Sequence, residues 1–252
     1  SRKFKSIIIF FFFQIRFRIL RKKKHKFKWI DETFLEVSLG DSSLISNYYT
    51  GLYEFEISSF IIHSIKKDYL FVDVGANLGS HSVLASSVAR CNSIAFEPNK
   101  EALKKFERQL QINNIEKFVQ IKKIAIGNKK GEVLFTNNRD ALNRVAINGK
   151  DNSYEQVQVS TLDLEIESNK KIVLKIDVEG FEMNVLKGAN NLLSSDKLLA
   201  IIVEINGFNR NYGIHEKDIH NLILSYNFHP YHYIPLERKL IKMNLELLKK
   251  NY

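Results

Sequence analysis

The chain has 252 residues, 44% of them hydrophobic and 12% aromatic, which describes one sizeable globular unit and excludes a disordered or low-complexity protein. Its net charge of +10 belongs to the N-terminus: residues 1–30 hold eleven Lys and Arg and no acid, leaving 27 bases against 28 acids over residues 31–252, which excludes a uniformly basic nucleic-acid surface. A single cysteine, Cys91, excludes an internal disulfide and fits a reducing, cytoplasmic compartment.

The chain opens with an apolar run, Ile7 to Phe13, followed by Arg16, Arg18 and Arg21 to Lys24. Seven residues are too few for a bilayer span, which needs about 20, and apolar-then-basic is the reverse of a secretory signal. Two readings stand: an aromatic and basic anchor on the cytoplasmic face of a membrane, or a helix packed on the domain or on a second subunit. Residues 1–50 are read as a basic, aromatic extension and residues 51–252 as the α/β domain. Removal of residues 1–28 is expected to leave that domain folded.

Residues 53–65 carry apolar residues at helical spacing and predict a helix lying on a sheet. Tyr69–Val74 reads as the first buried strand, followed by a helix from about Gly79 to Ala89. Ser93–Phe96 is the second strand. Asn99 is the N-cap of a helix that runs to about Ile112. Phe118–Ile126 reads as one third strand. Glu132–Phe135 and Gln156–Ser160 are short strands around the polar loop Asn137–Tyr154, read as a binding loop in which Asn138, Arg139, Asn143 and Arg144 are candidates for a sugar or phosphate. Lys171–Ile176 is the fourth strand, followed by one helix over 181–193. Leu198–Ile205 is the fifth strand and His215–Tyr226 a helix. Phe228–Tyr233 and Arg238–Met243 form an antiparallel hairpin. The alternation predicts an α/β fold: a mostly parallel twisted sheet, helices on both faces, and an antiparallel hairpin at its C-terminal edge.

The chemistry gathers at strand ends, where open α/β sheets bind their ligands. The first strand runs Phe71-Val-Asp-Val-Gly-Ala-Asn-Leu-Gly79, an acid followed by glycines spaced GxxxG at a helix N-terminus. Such a turn admits a ligand close to backbone N–H donors. Asn77 stands where a dinucleotide loop has its middle glycine, so the pyrophosphate of a nicotinamide cofactor is poorly served and a dehydrogenase is disfavoured. Glu97 ends the second strand 22 residues beyond Gly75, the place of a ribose-binding carboxylate. The cofactor set is therefore Asp73, Gly75, Asn77, Gly79, Glu97, Ala125 and Asp177. Asp177, Glu179, Glu182 and Glu204 form an acid cluster near the fourth and fifth strand ends. Within it Asp177, Glu179 and Glu204 are the catalytic candidates and Glu182 reads as a helix first-turn acid. A divalent metal on this cluster is compatible with its chemistry but not expected, since no His pair stands at ligand spacing. The orientation of Lys175 depends on strand register. His81 follows the glycine loop and could touch cofactor or acceptor, and Tyr212, His215, His229 and His232 are candidates for an acceptor pocket; for each, an ordinary surface or core role is the first reading.

The blocks Asp73-Val-Gly-Ala-Asn-Leu-Gly79, Phe96-Glu-Pro98, Thr161-Leu-Asp163, Lys175-Ile-Asp-Val-Glu-Gly-Phe-Glu182 with Val185-Leu-Lys-Gly-Ala189, and Ile202-Val-Glu204 resemble, in this order, the FkbM family of methyltransferases. The resemblance covers Phe71 to Glu204. It implies a class I methyltransferase (Rossmann-like) fold, S-adenosyl-L-methionine as cofactor, and methyl transfer to a hydroxyl, as on sugars of surface polysaccharides or glycolipids. The acceptor is then a small molecule or glycan, with no nucleic acid expected and the oligomeric state open. The rival readings are a nucleic-acid or protein methyltransferase, which would use the N-terminal bases against phosphate, and a non-catalytic nucleotide-binding module.

Overall fold

A computed structural model describes residues 10–11, 13–136, 144–146 and 154–243. The central sheet has five strands: β3 (Leu70–Val74), β4 (Asn92–Phe96), β5 (Val119–Lys122), β9 (Ile172–Ile176) and β10 (Leu198–Val203). Their order is β10-β9-β3-β4-β5, and every pairing is parallel. The chain leaves β3 toward β5, then returns across to β9. The switch point therefore lies between the carboxyl ends of β3 and β9, where such sheets open a crevice.

The sheet is buried on both faces, and the period-two alternation of its strands sorts the core into layers. Leu70, Val72 and Val74 of β3 join Ile172, Leu174 and Ile176 of β9 against Met183, Val185, Leu186, Leu192 and Ile219. These come from α7 (Glu182–Lys187), α8 (Asn190–Leu193) and α9 (Glu216–Ser225). Phe71 and Val173 face the other way, against Ile61, Leu84 and Ala85 of α3 (Phe55–Ser64) and α4 (Ser80–Ser87). Asp73 and Lys175 are direct cross-strand partners on that same second face. This settles the register of Lys175: its ammonium is buried, 3.8 Å from Asp73 Oδ1 and 3.1 Å from Asp177 Oδ2.

Three elements depart from the sequence reading. The expected third strand over 118–126 breaks at residues 123–124. β5 stays in the central sheet, while β6 (Ala125–Ile126) leaves it for a side sheet with β7 (Gly131–Thr136) and β8 (Tyr154–Ser160), in the order β6-β8-β7. The helix expected over 181–193 is two helices. α7 closes at Gly188, and α8 starts afresh. The carboxylate of Asp163, on the short helix α6 (Leu162–Glu165), accepts from the backbone N–H groups of Asn191 and Leu192, both at 2.9 Å. The hairpin β11 (Tyr231–Ile234) and β12 (Lys239–Lys242) forms but is a sheet of its own, not an edge of the central one. Tyr233 ties it to α3 instead, stacking edge-on against Phe60 and sharing a 2.7 Å hydrogen bond with His63. α5 (Lys100–Asn113) matches its expectation, with Asn99 Oδ1 accepting from the Ala102 N–H at 2.8 Å.

The N-terminal residues are woven into the domain. Residues 10–11 and 13–19 are helical (α1), ending in the π-helical turn Ile15–Ile19. After α1 come the hairpin β1 (His25–Lys28) and β2 (Phe34–Val37) and then α2 (Ser42–Thr50). Phe13 and Phe17 are 2% and 4% exposed and share a core with Leu35, Val37 and Leu44, and with Phe106 of α5. β2 is stitched to α5 by the side chains of Gln109 and Asn113, each of which both accepts from and donates to its backbone. A boundary at residue 50 thus falls inside continuous packing. The expectation that residues 1–28 can be removed harmlessly is corrected, because their loss would strip two buried phenylalanines and β1. Among the described residues no helix is long and apolar enough to cross a membrane. The binding-loop residues Asn138, Arg139 and Asn143 lie outside the described residues.

Candidate active site

The carboxyl ends of β3, β4 and β9 meet at a cleft open to solvent. Its lining includes Gly75 and Asn77 after β3, Glu97 and Pro98 after β4, Ala125 and Ile126 of β6, and Asp177 and Glu179 after β9. Ala102, Phe135, Val145, Val178 and Phe181 add an apolar wall.

Gly75 makes the crossing possible. Its φ is +81°, and a Cβ there would fall 1.8 Å from the Asp177 carbonyl oxygen. The first and fourth strand ends can touch only because position 75 has no side chain. Glu97 organises the adjacent loops. Its Oε2 accepts from the Asn77 N–H and its Oε1 from the Asn99 N–H, both at 2.8 Å. Asn77 sits in the left-handed region, φ 49°, which aims its N–H at that carboxylate. Burial dominates the Glu97 carboxyl and, with the negative charges of Asp73 and Asp177, pushes it up to about 7 despite the two N–H donors.

A second, polar hollow adjoins the cleft and shares Gly75, Asn77 and Asp177 with it. Ser43 and Asn47 of α2, Tyr53 and Glu54 before α3, Ser80 and His81 of α4, and Lys175 also line it. His81 Nε2 lies 3.2 Å from Glu54 Oε2. Glu54 is itself in the left-handed conformation, φ 50°. The Lys175 ammonium is raised well above the usual lysine range, because Asp177, Asp73 and Glu54 together outweigh its burial. It remains a cation at any working pH.

Of the four expected acids, Asp177 and Glu179 line the cleft, whereas Glu182 and Glu204 are in the lining of neither hollow. Asp177 stands at the seam of the two hollows. Glu179 lines the cleft and accepts from Asn206 Nδ2 at 2.6 Å; burial and then the charge of Asp177 push it up to about 7. Glu204, whose N–H donates to the Ile176 carbonyl at 3.0 Å, is also pushed up to about 7, by burial and then by Asp177 and Glu54. Glu182 is buried, and its Oε1 accepts from the Gly180 N–H at 2.9 Å, holding the turn after β9. Among the described residues no group of three His, Cys, Asp or Glu side chains is arranged to hold a metal ion.

Two residues of the expected cofactor set lie behind the cleft instead of on it. Asp73 is buried beside Lys175, and its Oδ2 accepts from Ser82 Oγ at 2.7 Å. Gly79 caps α4 with φ +82°, and a Cβ there would strike the Phe106 ring at 2.0 Å, so its place is under α5.

The family model for the Methyltransferase FkbM domain matches residues 73–230, the stretch that builds this cleft. The chain belongs to the FkbM methyltransferase family. A hexuronic acid methyltransferase of Haloferax volcanii, AglP, is 29% identical over 174 residues, which is 68% of this chain and 67% of that protein. The crystal structure of an FkbM methyltransferase from Methylobacillus flagellatus KT superposes with a TM-score of 0.50 at 18% identity. That match covers 79% of this chain and 52% of the other, so the chain spans about half the length of that protein. The likeness is one of fold, that of a class I methyltransferase.

The polar hollow of this FkbM chain is not legible in its sequence. Ser43, Asn47, Tyr53 and Glu54 lie before the first central strand and carry no motif. His81, a helix histidine that the sequence also offers to cofactor or acceptor, faces the hollow and pairs with Glu54. Tyr212 packs edge-on against Phe181, and its hydroxyl donates to the Val145 carbonyl at 2.5 Å, closing the rim of the cleft. His232 pairs with Glu56 at the surface, 3.5 Å away.

Proposed function

We propose that the protein is an S-adenosyl-L-methionine-dependent O-methyltransferase that acts on a sugar hydroxyl of a glycan or glycolipid. One observation carries this reading. An apolar-walled cleft bearing a buried carboxylate meets a polar hollow across Gly75, Asn77 and Asp177.

The cleft fits the cofactor. Each Glu97 oxygen spends one lone pair on a backbone N–H and keeps another, which suits the two hydroxyls of a ribose. Ala102, Ile126, Phe135 and Phe181 offer flat apolar surface for a purine ring. When bound, S-adenosyl-L-methionine supplies an electrophilic methyl group.

The chain's own residues handle the acceptor. Asp177 accepts the hydrogen bond of the acceptor hydroxyl at the seam and points its oxygen toward the cleft. As that oxygen becomes a nucleophile its proton passes to the acid cluster. Glu179 and Glu204, both near 7, are matched to accept a proton at neutral pH. Lys175 keeps Asp177 in place from below. His81 and Glu54 offer a donor and an acceptor to the remaining hydroxyls of the sugar.

The hollow also speaks to the choice of oxygen. Its described lining presents Glu54 and Asp177, and its one ammonium, Lys175, is already engaged by Asp73 and Asp177. A carboxylate acceptor would meet like charge there, whereas a hydroxyl donates to both acids. This supports an ether on a neutral sugar over an ester on an acidic one. The test is incubation with methyl-labelled S-adenosyl-L-methionine and a panel of sugars and glycolipids, read by mass spectrometry. Label on a sugar oxygen supports the reading. Calorimetric binding of NAD, with none of S-adenosyl-L-methionine, overturns it.

A further inference from the structure

The N-terminal helix has two apolar faces, and among the described residues only one is packed. Phe13 and Phe17 point into the core. Phe11, Ile15 and Ile19, spaced four apart, are 61%, 42% and 70% exposed, and Leu20 beside them is 60% exposed. The π-turn Ile15–Ile19, closed by the Leu20 N–H on the Ile15 carbonyl at 2.9 Å, keeps this row on one side of the helix. At the end of the row stand Arg18, Arg21, Lys22 and Lys23, all exposed and, among the described residues, without an acidic partner. The neighbouring Lys24 and Lys28 pair instead with Glu36 and Glu32.

We propose that this face rests on an anionic lipid surface, with the apolar row in the headgroup and acyl boundary and the four bases on the headgroups. Such a helix lies in the interface and does not span it. The bases decide between occupants. Docking on a second copy of the same face would bring two sets of unpaired cations together, whereas an anionic bilayer neutralises them. RNA would neutralise them too, but would gain nothing from the isoleucines.

The placement bears on catalysis. α2 is shared between the two sites: Tyr48 and Tyr49 pack on Phe10 and Phe13 of the helix, while Ser43 and Asn47 line the polar hollow. A protein seated on its N-terminal helix therefore carries the hollow one helix away from the bilayer, within reach of a lipid-borne sugar. That consequence rests on the methyltransferase reading. The lipid contact does not.

The experiment is co-sedimentation of the full chain with vesicles, independent of any activity. Binding is expected to mixed phosphatidylglycerol and phosphatidylcholine, to weaken as salt rises, and to vanish with phosphatidylcholine alone. The pair Ile15→Ser and Ile19→Ser should weaken partition by at least about tenfold. The pair Arg18→Ser and Lys22→Ser should weaken it about 25-fold at low salt, near fivefold for each base. All four residues are off the core, so the variants should unfold at the same temperature as the parent, and S-adenosyl-L-methionine affinity gives a second check that they are folded. Failure of the parent chain to bind phosphatidylglycerol vesicles overturns the proposal, and so does binding by both variants as tight as the parent's. A parent dimer that Ile15→Ser and Ile19→Ser dissociate, without vesicle binding, would make the face a subunit contact. Binding to single-stranded RNA that ignores the isoleucine change, again without vesicle binding, would make it a nucleic-acid contact.

Discussion

Replacing Glu97 with Gln exchanges a buried carboxylate for an amide of the same shape, and the structure fixes how the consequence should vary with pH. Burial holds the Glu97 carboxyl at about 7, against an ordinary value of 4.5. The folded chain therefore keeps a proton that the unfolded chain gives up between these values. Stability falls as pH rises through that window and is fully present below it. At about 1.4 kcal/mol per tenfold change, the charge costs about 3 kcal/mol by pH 8. The substituted amide carries no such cost but presents its NH₂ to one of the two backbone N–H groups, which loses a hydrogen bond and costs about 1–3 kcal/mol at every pH. Glu97→Gln should thus be destabilising at pH 5 and neutral to stabilising, by up to about 2 kcal/mol, at pH 8. Urea unfolding at the two values reads this directly, and Glu179 and Glu204, which shift in the same direction, remain in both proteins and cancel. The bound ribose inverts the preference, because two hydroxyl donors favour the ionised form. S-adenosyl-L-methionine affinity in the parent should rise with pH through about 7, with proton release, while the variant binds about 1.5–3 kcal/mol more weakly with no such rise. Parallel pH profiles for the two proteins would refute the reasoning.

Asp177→Asn should leave cofactor affinity within a few-fold while turnover drops by about 10²–10⁴, measured by single-turnover methyl transfer; unchanged turnover on the true acceptor would remove Asp177 from the chemistry. Gly75→Ala should lose soluble, folded protein or unfold well below the parent temperature, because its Cβ would collide with the Asp177 carbonyl at 1.8 Å. Phe17→Ala should cost about 3–5 kcal/mol in urea unfolding, as a large side chain taken from a closed core; a cost near zero would show that the N-terminal helix is not docked.

The parts of this protein that sequence makes legible are those in which one local pattern decides. The buried strands at 70–74 and 172–176 announce themselves by apolar runs, and Asn99 by its capping position. The strand-end residues Gly75, Glu97 and Asp177 come to the cleft by the same logic, since an open parallel sheet opens its crevice there. What stays hidden depends on contacts between distant segments. Gly79 reads like Gly75 but lies under Phe106, which only the packing of α5 reveals. Asp73 looks like a cofactor ligand until the strand register sets it opposite Lys175. The fresh start of α8 after Gly188 draws on Asp163, more than twenty residues upstream. Glu54 falls inside the helix expected over 53–65, but α3 starts at Phe55 and leaves Glu54 before it in a left-handed conformation that its residue type does not announce.

The central claim is methyl transfer to a neutral sugar hydroxyl, and one measurement tests it most directly. The protein is incubated with methyl-labelled S-adenosyl-L-methionine and glycolipid acceptors whose sugars are either neutral or uronic, and the labelled product is exposed to mild base. The arrangement of Glu54, Asp177 and an engaged Lys175 predicts label on the neutral sugar as a methyl ether that survives the base. Label found only on the uronic sugar and released by base would be a methyl ester, and would contradict the account.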